Sequence, residues 1–364
     1  MKARIIYLCI LLFSGFSALW AARWNKETID WSKNPHPVVG DWGFDRPGYP
    51  KGLYIHGITV KEGQKVKNPV IYDNDVYDDV FEDELMFAMT SLGEMNLVGL
   101  IVTPVLTDFW TFSRPGWKKT AYESVDYALK SIARPQRIPP VTVGTEADSE
   151  KKGERKMSAG AELYVKLINE HYRKHPDKPL IVNIGGQSAT LASAYCIDPS
   201  IADKCIVYYT DVRVYNGHYK WASELVCKNF RVVSWGDDNW WIKKKCQSEW
   251  NVLPRPDKCE PSENGASSGE WRLLTQMGNP MLSHMVEQFQ KRSEYCKKEK
   301  KSDGYYDGTF LHAWIPAIFT DASLMEVRKG EVLHVTRFTE ENEKKVKDYA
   351  MKILLNPKAY KRKR

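Results

Sequence analysis

Short apolar runs alternate with segments of helical spacing through most of the chain between residues 70 and 234. We expect a first strand that starts at 70–72, further strands at 97–102, 140–143, 179–183, 204–209 and 230–234, and helices at 82–95, 122–133, 161–172, 188–195 and 220–227. Strands that alternate with helices pair in parallel through right-handed crossovers. The chain therefore predicts an α/β fold with an open, mostly parallel, Rossmann-like sheet and helices on both faces. Ligands of such sheets bind at the carboxyl ends of the strands.

The first 22 residues have the pattern of a secretory signal peptide. Lys2 and Arg4 precede an apolar run at 5–16 that is too short to cross a bilayer, and Ala21 and Ala22 offer small residues for cleavage. A buried N-terminal helix is the alternative. Since no later segment reaches the ~18 continuous apolar residues of a membrane span, we expect no span and a secreted or periplasmic protein.

Six of the seven cysteines follow the leader, at Cys196, Cys205, Cys227, Cys246, Cys259 and Cys296. An even number of cysteines in an exported chain indicates disulfides. Cys196 and Cys205 flank a short segment and are a reasonable local pair. A zinc site is disfavoured because no C-x-x-C spacing occurs, and a set of buried free thiols is the alternative.

The basic excess is confined to the two ends of the chain. There are 53 Lys and Arg against 46 Asp and Glu, a net charge of +7. Lys2 and Arg4 lie in the leader and five more positive charges lie at 358–364, so the rest of the chain is neutral. We therefore expect no nucleic-acid partner, and we expect the basic end to fray.

Composition divides the chain into a main domain with additions. The expected parts are a signal peptide at 1–22, an N-terminal extension at 23–68, a main domain at 69–350 and a basic C-terminal tail at 351–364. Within the main domain, residues 240–303 are loop-rich and hold three cysteines, which indicates an insertion.

Seven acidic residues lie within twelve positions directly after the first predicted strand, at Asp73, Asp75, Asp78, Asp79, Glu82, Asp83 and Glu84. Carboxylates that converge repel one another unless a cation neutralises them, and such oxygen ligands suit Ca²⁺ or Mg²⁺. The run lacks the spacing of an EF-hand loop. A solvated acidic loop that caps the next helix is the alternative reading.

Six segments occur in an order and spacing that resemble one known family. They are DNDVYDD at 73–79, NLVGLIV at 96–102, RIPPVTVG at 137–144, PLIVNIGGQS at 179–188, DPSIA at 198–202 and HAWIPAIFTDASL at 312–324. Together they resemble motifs of the inosine–uridine-preferring nucleoside hydrolase superfamily over roughly residues 68–335. The first resembles its D-x-D-x-G-x-D-D motif, which binds Ca²⁺.

The resemblance implies a nucleoside hydrolase-like fold and hydrolysis of N-glycosidic bonds with Ca²⁺ as cofactor. Asp75 corresponds to the general base that activates a Ca²⁺-bound water. The Ca²⁺ ligands implied are Asp73, Asp75, Asp79, Asp83 and the backbone carbonyl of Ile184, with the later pair ambiguous between Asp79 and Glu82-Asp83. Asp73 and Asn216 are expected to contact sugar hydroxyls, although Asn216 also suits an ordinary turn before Gly217.

The last motif departs from the family pattern. Relatives carry His-Asp, whose Asp is a Ca²⁺ ligand, whereas this chain has His312-Ala313. Asp307 is the preferred replacement ligand, and a one-residue gap would place His312 there instead. His312 could also protonate the leaving group, since its pKa lies near neutrality, or be an ordinary core histidine.

The chain has thirteen tryptophans, and a tryptophan ring can stack on a base or sugar, with Trp241 as the candidate. Packing in the core explains a tryptophan equally well. The prediction is an exported Ca²⁺-dependent N-glycosidase that takes a small-molecule nucleoside or related glycoside. The alternatives are a non-catalytic sugar-binding relative and a glycoside hydrolase with a different glycone. A homo-oligomer is compatible with the sequence.

Overall fold

A computed structural model describes residues 68–74, 82–103, 117–145, 157–209, 220–235, 329–330, 332–335, 349 and 352–361. In this part of the chain, seven strands form one sheet in the order β3-β2-β1-β4-β5-β6-β7. They are β1 Pro69–Asn74, β2 Asn96–Val102, β3 Val141–Val143, β4 Leu180–Ile184, β5 Cys205–Tyr209, β6 Val232–Trp235 and β7 Val332–Val335. Every neighbouring pair is parallel, which confirms the predicted sheet.

Five α-helices are described, at α1 Glu82–Leu92, α2 Trp117–Ser131, α3 Ala159–Lys174, α4 Ala189–Ile197 and α5 Lys220–Asn229. They lie on both faces of the sheet. Tyr72 bonds to Asp83 of α1, whereas its neighbour Asp73 bonds to Tyr164 of α3. Because successive residues of a strand point to opposite faces, these contacts place α1 and α3 on opposite sides. The prediction of helices on both faces is confirmed.

The chain reverses direction across the sheet between β1 and β4. From β1 it runs outward through β2 to β3, and then returns to β4 on the other side of β1 and continues to β7. The carboxyl ends of β1 and β4 therefore flank a topological switch point, where open α/β sheets bind ligands. Both strands are largely apolar and almost wholly buried, which holds their ends in place.

Local chemistry sets the element ends that differ from the predictions. Helix α1 ends at Leu92 rather than at residue 95, because Gly93 takes the left-handed conformation with φ of 83°. Glu94 N then donates to Met89 O at 2.9 Å, which closes the helix end. Strand β7 was not predicted from the sequence.

The basic C-terminal end does not fray over its described part. Tyr360 forms an antiparallel bridge with Ile132, and Lys361 N donates to Ser131 O at 2.8 Å. Tyr360 is buried. The expected fraying is therefore wrong for residues 356–361, since their side chains and backbone complete the end of α2.

The predicted disulfide between Cys196 and Cys205 is wrong. Cys205 opens β5 as a buried free thiol, and its Sγ donates weakly to Ile201 O at 3.5 Å. Cys227 is also a buried free thiol. The buried-thiol alternative describes these positions, whereas Cys246, Cys259 and Cys296 lie outside the described residues.

Within the described part of the chain, no helix has both the length and the apolar character that a bilayer crossing requires. The predicted leader and the predicted insertion at 240–303 fall on residues that the structure does not describe.

Candidate functional site

A buried carboxylate lies at the switch point. Asp73 is the fifth residue of β1, and its side chain is fully buried. Thr103, directly after β2, donates its hydroxyl to Asp73 Oδ1. Tyr164 of α3 donates its hydroxyl to Oδ2 at 2.8 Å. Both carboxylate oxygens are thus held from neighbouring elements, which fixes the plane of the group.

Burial dominates the electrostatics of Asp73. It raises the pKa of this carboxyl from 3.8 to about 7, while the hydrogen bonds from Thr103 and Tyr164 act in the opposite direction. Among the described residues, none contributes a positive charge to this balance. Asp73 therefore changes charge near neutrality, and a cation at this edge would favour its ionised form.

A chain of hydroxyls extends from Asp73 to the loop after β3. Thr103 Oγ1 lies 2.7 Å from Oγ1 of Thr190, in the first turn of α4. Thr190 Oγ1 in turn accepts the backbone N–H of Thr145 at 2.9 Å. The end of β1 and the segments that follow β2 and β3 are thereby joined through Thr190 of α4.

Gly144 has no side chain, and the hydroxyls of Thr103 and Thr190 occupy the space that a Cβ would fill. A Cβ at this position would lie 2.6 Å from Thr190 Oγ1 and 2.9 Å from the Cα of Thr103. Either approach is closer than real Cβ contacts allow. The close packing of β3 against the hydroxyl pair therefore requires glycine here.

The loop between β4 and α4 lies against the end of β1. Gly185 N donates to Asp73 O at 2.9 Å, and a Cβ on Gly185 would lie 2.6 Å from the side chain of Asn74. Gln187 accepts the N–H of Ala189 through Oε1 and donates through Nε2 to Thr145 O at 3.1 Å. A glutamine thus caps α4 and ties it to the loop after β3.

A second polar group occupies the opposite face of the sheet. Tyr72 donates its hydroxyl to Asp83 Oδ1 at 2.8 Å and accepts from Asn74 Nδ2 at 2.8 Å. Asn74 Nδ2 also lies 3.4 Å from Asp83 Oδ1. Nearby on β4, Asn183 is buried, and neither polar atom of its side chain is hydrogen bonded to any of the described residues.

Three predicted site residues fall within the described residues. Asp73 lies in the hydroxyl network, Asp83 lies in the polar group on the other face, and Ile184 pairs with Asp73 across β1 and β4. The structure therefore brings Ile184 to Asp73 and separates Asp83 from it. The other predicted site residues lie outside the described residues, namely Asp75, Asp79, Asn216, Trp241, Asp307 and His312. Their roles stay predictions.

The described residues fit a hard cation only in part. The side chains around Asp73 offer oxygen atoms, the donor type that Ca²⁺ prefers, and the buried carboxylate has no positive neighbour among them. However, no group of three or more acidic, histidine or cysteine side chains that could hold a metal occurs in the described segments. A complete site would need the carboxylates predicted at 75, 79 or 307.

Thr103, Tyr164 and Thr190 were not predicted as site residues. Thr103 could have been found, because it directly follows a predicted strand at the ligand-binding edge. Tyr164 aligns with the buried Ala161 and Ile168 along α3, so its spacing reads as core. Thr190 lies in an apolar helix whose pattern carries no sign of its contact with β2.

Comparisons with known proteins find similarity at the level of structure alone. No family model matches the chain, and no curated protein matches its sequence. Solved structures similar to this chain include a plant nucleoside hydrolase, PpNRh1, with 14% identity and a TM-score of 0.45. That match covers 80% of this chain and 99% of the plant enzyme.

Two further matches have similar extents. The purine-preferring ribonucleoside hydrolase from Gardnerella vaginalis is 12% identical, with a TM-score of 0.47, over 79% of this chain and 99% of its own. The type III effector protein XopQ, solved with adenosine diphosphate ribose, is 9% identical, with a TM-score of 0.46, over 85% of this chain and 99% of its own. Nucleoside hydrolases, the family that the sequence motifs resemble, are thus among the structural neighbours.

Proposed function

We propose that this protein is an exported, Ca²⁺-dependent hydrolase of N-glycosidic bonds, with a ribonucleoside or related glycoside as substrate. One observation carries the proposal. The carboxylate of Asp73 is buried at the switch point of the sheet, and Asp73 is the first residue of the acidic run that resembles the Ca²⁺-binding motif. A carboxylate buried without a positive neighbour is costly for a fold, and binding a cation would offset that cost.

Cleavage of an N-ribosidic bond passes through an oxocarbenium-like sugar, so the site has to stabilise positive charge at C1. Asp75, two residues beyond Asp73, would take the proton of the attacking water as general base. Ca²⁺, when bound, would hold the sugar diol and that water and lower the pKa of the water. Asp73 and Asn216 would position sugar hydroxyls, Trp241 would stack on the substrate, and His312 would protonate the departing base.

The ligands proposed for the cation are Asp73, Asp75, Asp79, Asp307 and the carbonyl of Ile184. Asp83 is the least suited of the ligands considered, because its Oδ1 already accepts the Tyr72 hydroxyl on the opposite face of the sheet. Its described contacts favour a supporting role, in which it holds Tyr72 and Asn74 at the end of β1.

Base release from inosine and uridine tests the proposal, measured with and without Ca²⁺ for the wild type and for Asp75→Ala. Asp126→Ala is the matched control, since Asp126 is a mostly exposed carboxylate paired with Lys130 on α2. We expect release that requires Ca²⁺, falls at least 100-fold in Asp75→Ala and is unchanged in Asp126→Ala. Wild-type protein that binds Ca²⁺ and releases no base from any nucleoside would contradict the proposed reaction.

A non-catalytic sugar-binding protein is the second candidate. It is favoured by Ala313, which stands where the family pattern has an aspartate. In that case the same edge of the sheet would bind a nucleoside or glycoside without cleaving it. Calorimetric binding of the intact nucleoside, with no free base detected after prolonged incubation, would favour this candidate over the first.

A further inference from the structure

The hydroxyl chain at Asp73 has a fixed direction. A backbone N–H can only donate, so Thr190 Oγ1 accepts from Thr145. In its ionised form, the Asp73 carboxylate can only accept, so Thr103 gives its single proton to Asp73. The remaining contact, 2.7 Å between the hydroxyls of Thr103 and Thr190, is then donated by Thr190. Every proton in the chain points toward Asp73.

The opposite direction would leave one buried hydroxyl proton without an acceptor among the described residues. If Thr103 donated to Thr190 instead, the Thr190 hydroxyl would accept two hydrogen bonds and its own proton would lack an acceptor among the described residues. Thr190 and Thr103 are both fully buried, so water could not replace that acceptor. An unsatisfied buried hydroxyl is costly, whereas hydrogen bonds aligned in one direction strengthen one another.

Thr190 is unusual for a threonine in the first turn of a helix. Such side chains commonly bond to backbone groups of their own helix. Here Gln187 supplies the helix cap through its own side chain, so the Thr190 hydroxyl is left to contact the residue after β2. Its methyl group packs separately, since a Cβ on Gly160 would lie 3.0 Å from Thr190 Cγ2. The hydroxyl and the methyl group therefore have different neighbours and can be removed one at a time.

We infer that Thr190 is a positioning residue, which acts through the hydroxyl of Thr103 to hold the Asp73 carboxylate in the orientation that the site uses. Without the contact from Thr190, the Thr103 hydroxyl would be held only by its hydrogen bond to one carboxylate oxygen, and its side chain would be free to rotate about χ1. The hydrogen bond from Thr190, itself held by the rigid N–H of Thr145, removes that freedom. With Tyr164 on the other oxygen, the carboxylate is held on both sides. As a role in catalysis, this inference rests on the function proposed above.

Two substitutions of Thr190 separate its groups. Thr190→Val keeps the methyl group and removes the hydroxyl, and Thr190→Ser does the reverse. Ser193→Ala is the matched control, because Ser193 is fully buried on the same helix and its Oγ makes no hydrogen bond in the structure as described. For base release with Ca²⁺, we expect Thr190→Val to lower kcat about tenfold with little change in KM. Thr190→Ser should restore kcat to within about threefold, and Ser193→Ala should match the wild type.

Equal loss in Thr190→Val and Thr190→Ser would assign the effect to packing and overturn the inference. A kcat for Thr190→Val equal to that of Ser193→Ala would also overturn it.

A double-mutant cycle tests the coupling without any enzyme assay. Thr190 and Asp73 are joined through Thr103, so the free-energy cost of Thr190→Val, measured by urea unfolding at pH 8, should depend on whether residue 73 carries a carboxylate. We expect its effect on the unfolding constant to be at least threefold smaller in the Asp73→Asn background than in the wild type. Equal effects in the two backgrounds would overturn the inference. If the wild type releases no base while the cycle shows coupling, the proposed reaction fails and the positioning of Asp73 by Thr190 stands.

Discussion

The stability of the metal-free protein should fall as pH rises from 4 to 8, because of Asp73. Burial raises the pKa of this carboxyl from 3.8 to about 7 in the folded protein. In the unfolded chain, Asp73 loses its proton near pH 4, whereas in the folded protein it keeps the proton until about pH 7. The folded state therefore binds more protons across this interval, and the free energy of unfolding falls as pH rises.

The magnitude follows from the width of the interval. Each pH unit between the two pKa values changes the free energy of unfolding by about 1.4 kcal/mol, so the full loss is about 4 kcal/mol. Above pH 7 this contribution levels off. Asp73→Asn cannot ionise and should lack this part of the pH dependence. Asp126→Asn, which removes a mostly exposed carboxylate, should keep the slope of the wild type.

The assay is urea unfolding at intervals from pH 4 to pH 8, after dialysis against a chelator. The quantity compared is the difference in free energy of unfolding between the wild type and Asp73→Asn, which removes contributions from other titrating groups. Adding Ca²⁺ should stabilise the wild type most at pH 8, where Asp73 is ionised. If the free energy of unfolding varied with pH in the same way for the wild type and for Asp73→Asn, this explanation would be wrong, because burial would then not destabilise the ionised form of Asp73.

Two further predictions concern packing and thiol chemistry. Gly144→Ala should lower the free energy of unfolding by about 1–3 kcal/mol in urea titrations, since its methyl group would meet the Thr190 hydroxyl at 2.6 Å. Gly99→Ala should cost less, because the contact there is the flexible end of a leucine, and a larger loss for Gly99→Ala would contradict this. Burial raises the pKa of the Cys205 thiol to about 12 and raises that of Cys227, so both should resist alkylation at pH 8 until urea unfolds the protein. Rapid labelling of either residue in the native state, read by peptide mass spectrometry, would contradict their burial.

The centre of the sheet was predictable because strands β1, β4 and β5 are buried on both faces. Such strands appear as short apolar runs between helical segments, and β1, β2 and β4 all lie at the predicted places. Element ends were less predictable, as at Leu92, where a single left-handed glycine ends the helix. Strand β7 is only four residues long and includes the polar His334, so its apolar run was too short to give a clear signal.

The site was predictable only as far as it follows strand ends. Asp73 was predicted to follow the first strand directly, whereas in the structure it is the next-to-last residue of that strand and is buried at its carboxyl end. Contacts such as that between Thr190 and Thr103 join residues 87 positions apart, and no local pattern reports them. The predicted disulfide between Cys196 and Cys205 is wrong for a similar reason, because the spacing of the two cysteines does not show that the Cys205 side chain is fully buried on β5.

Whether Asp73 is part of a cation site can be measured by calorimetric titration of the chelator-treated protein with Ca²⁺ at pH 8. We expect saturable binding to the wild type, at least tenfold weaker binding to Asp73→Asn, and wild-type affinity for Asp126→Asn. Wild-type protein that shows no Ca²⁺ binding, or Asp73→Asn that binds as tightly as the wild type, would contradict the claim that the buried carboxylate at the end of β1 belongs to a cation site.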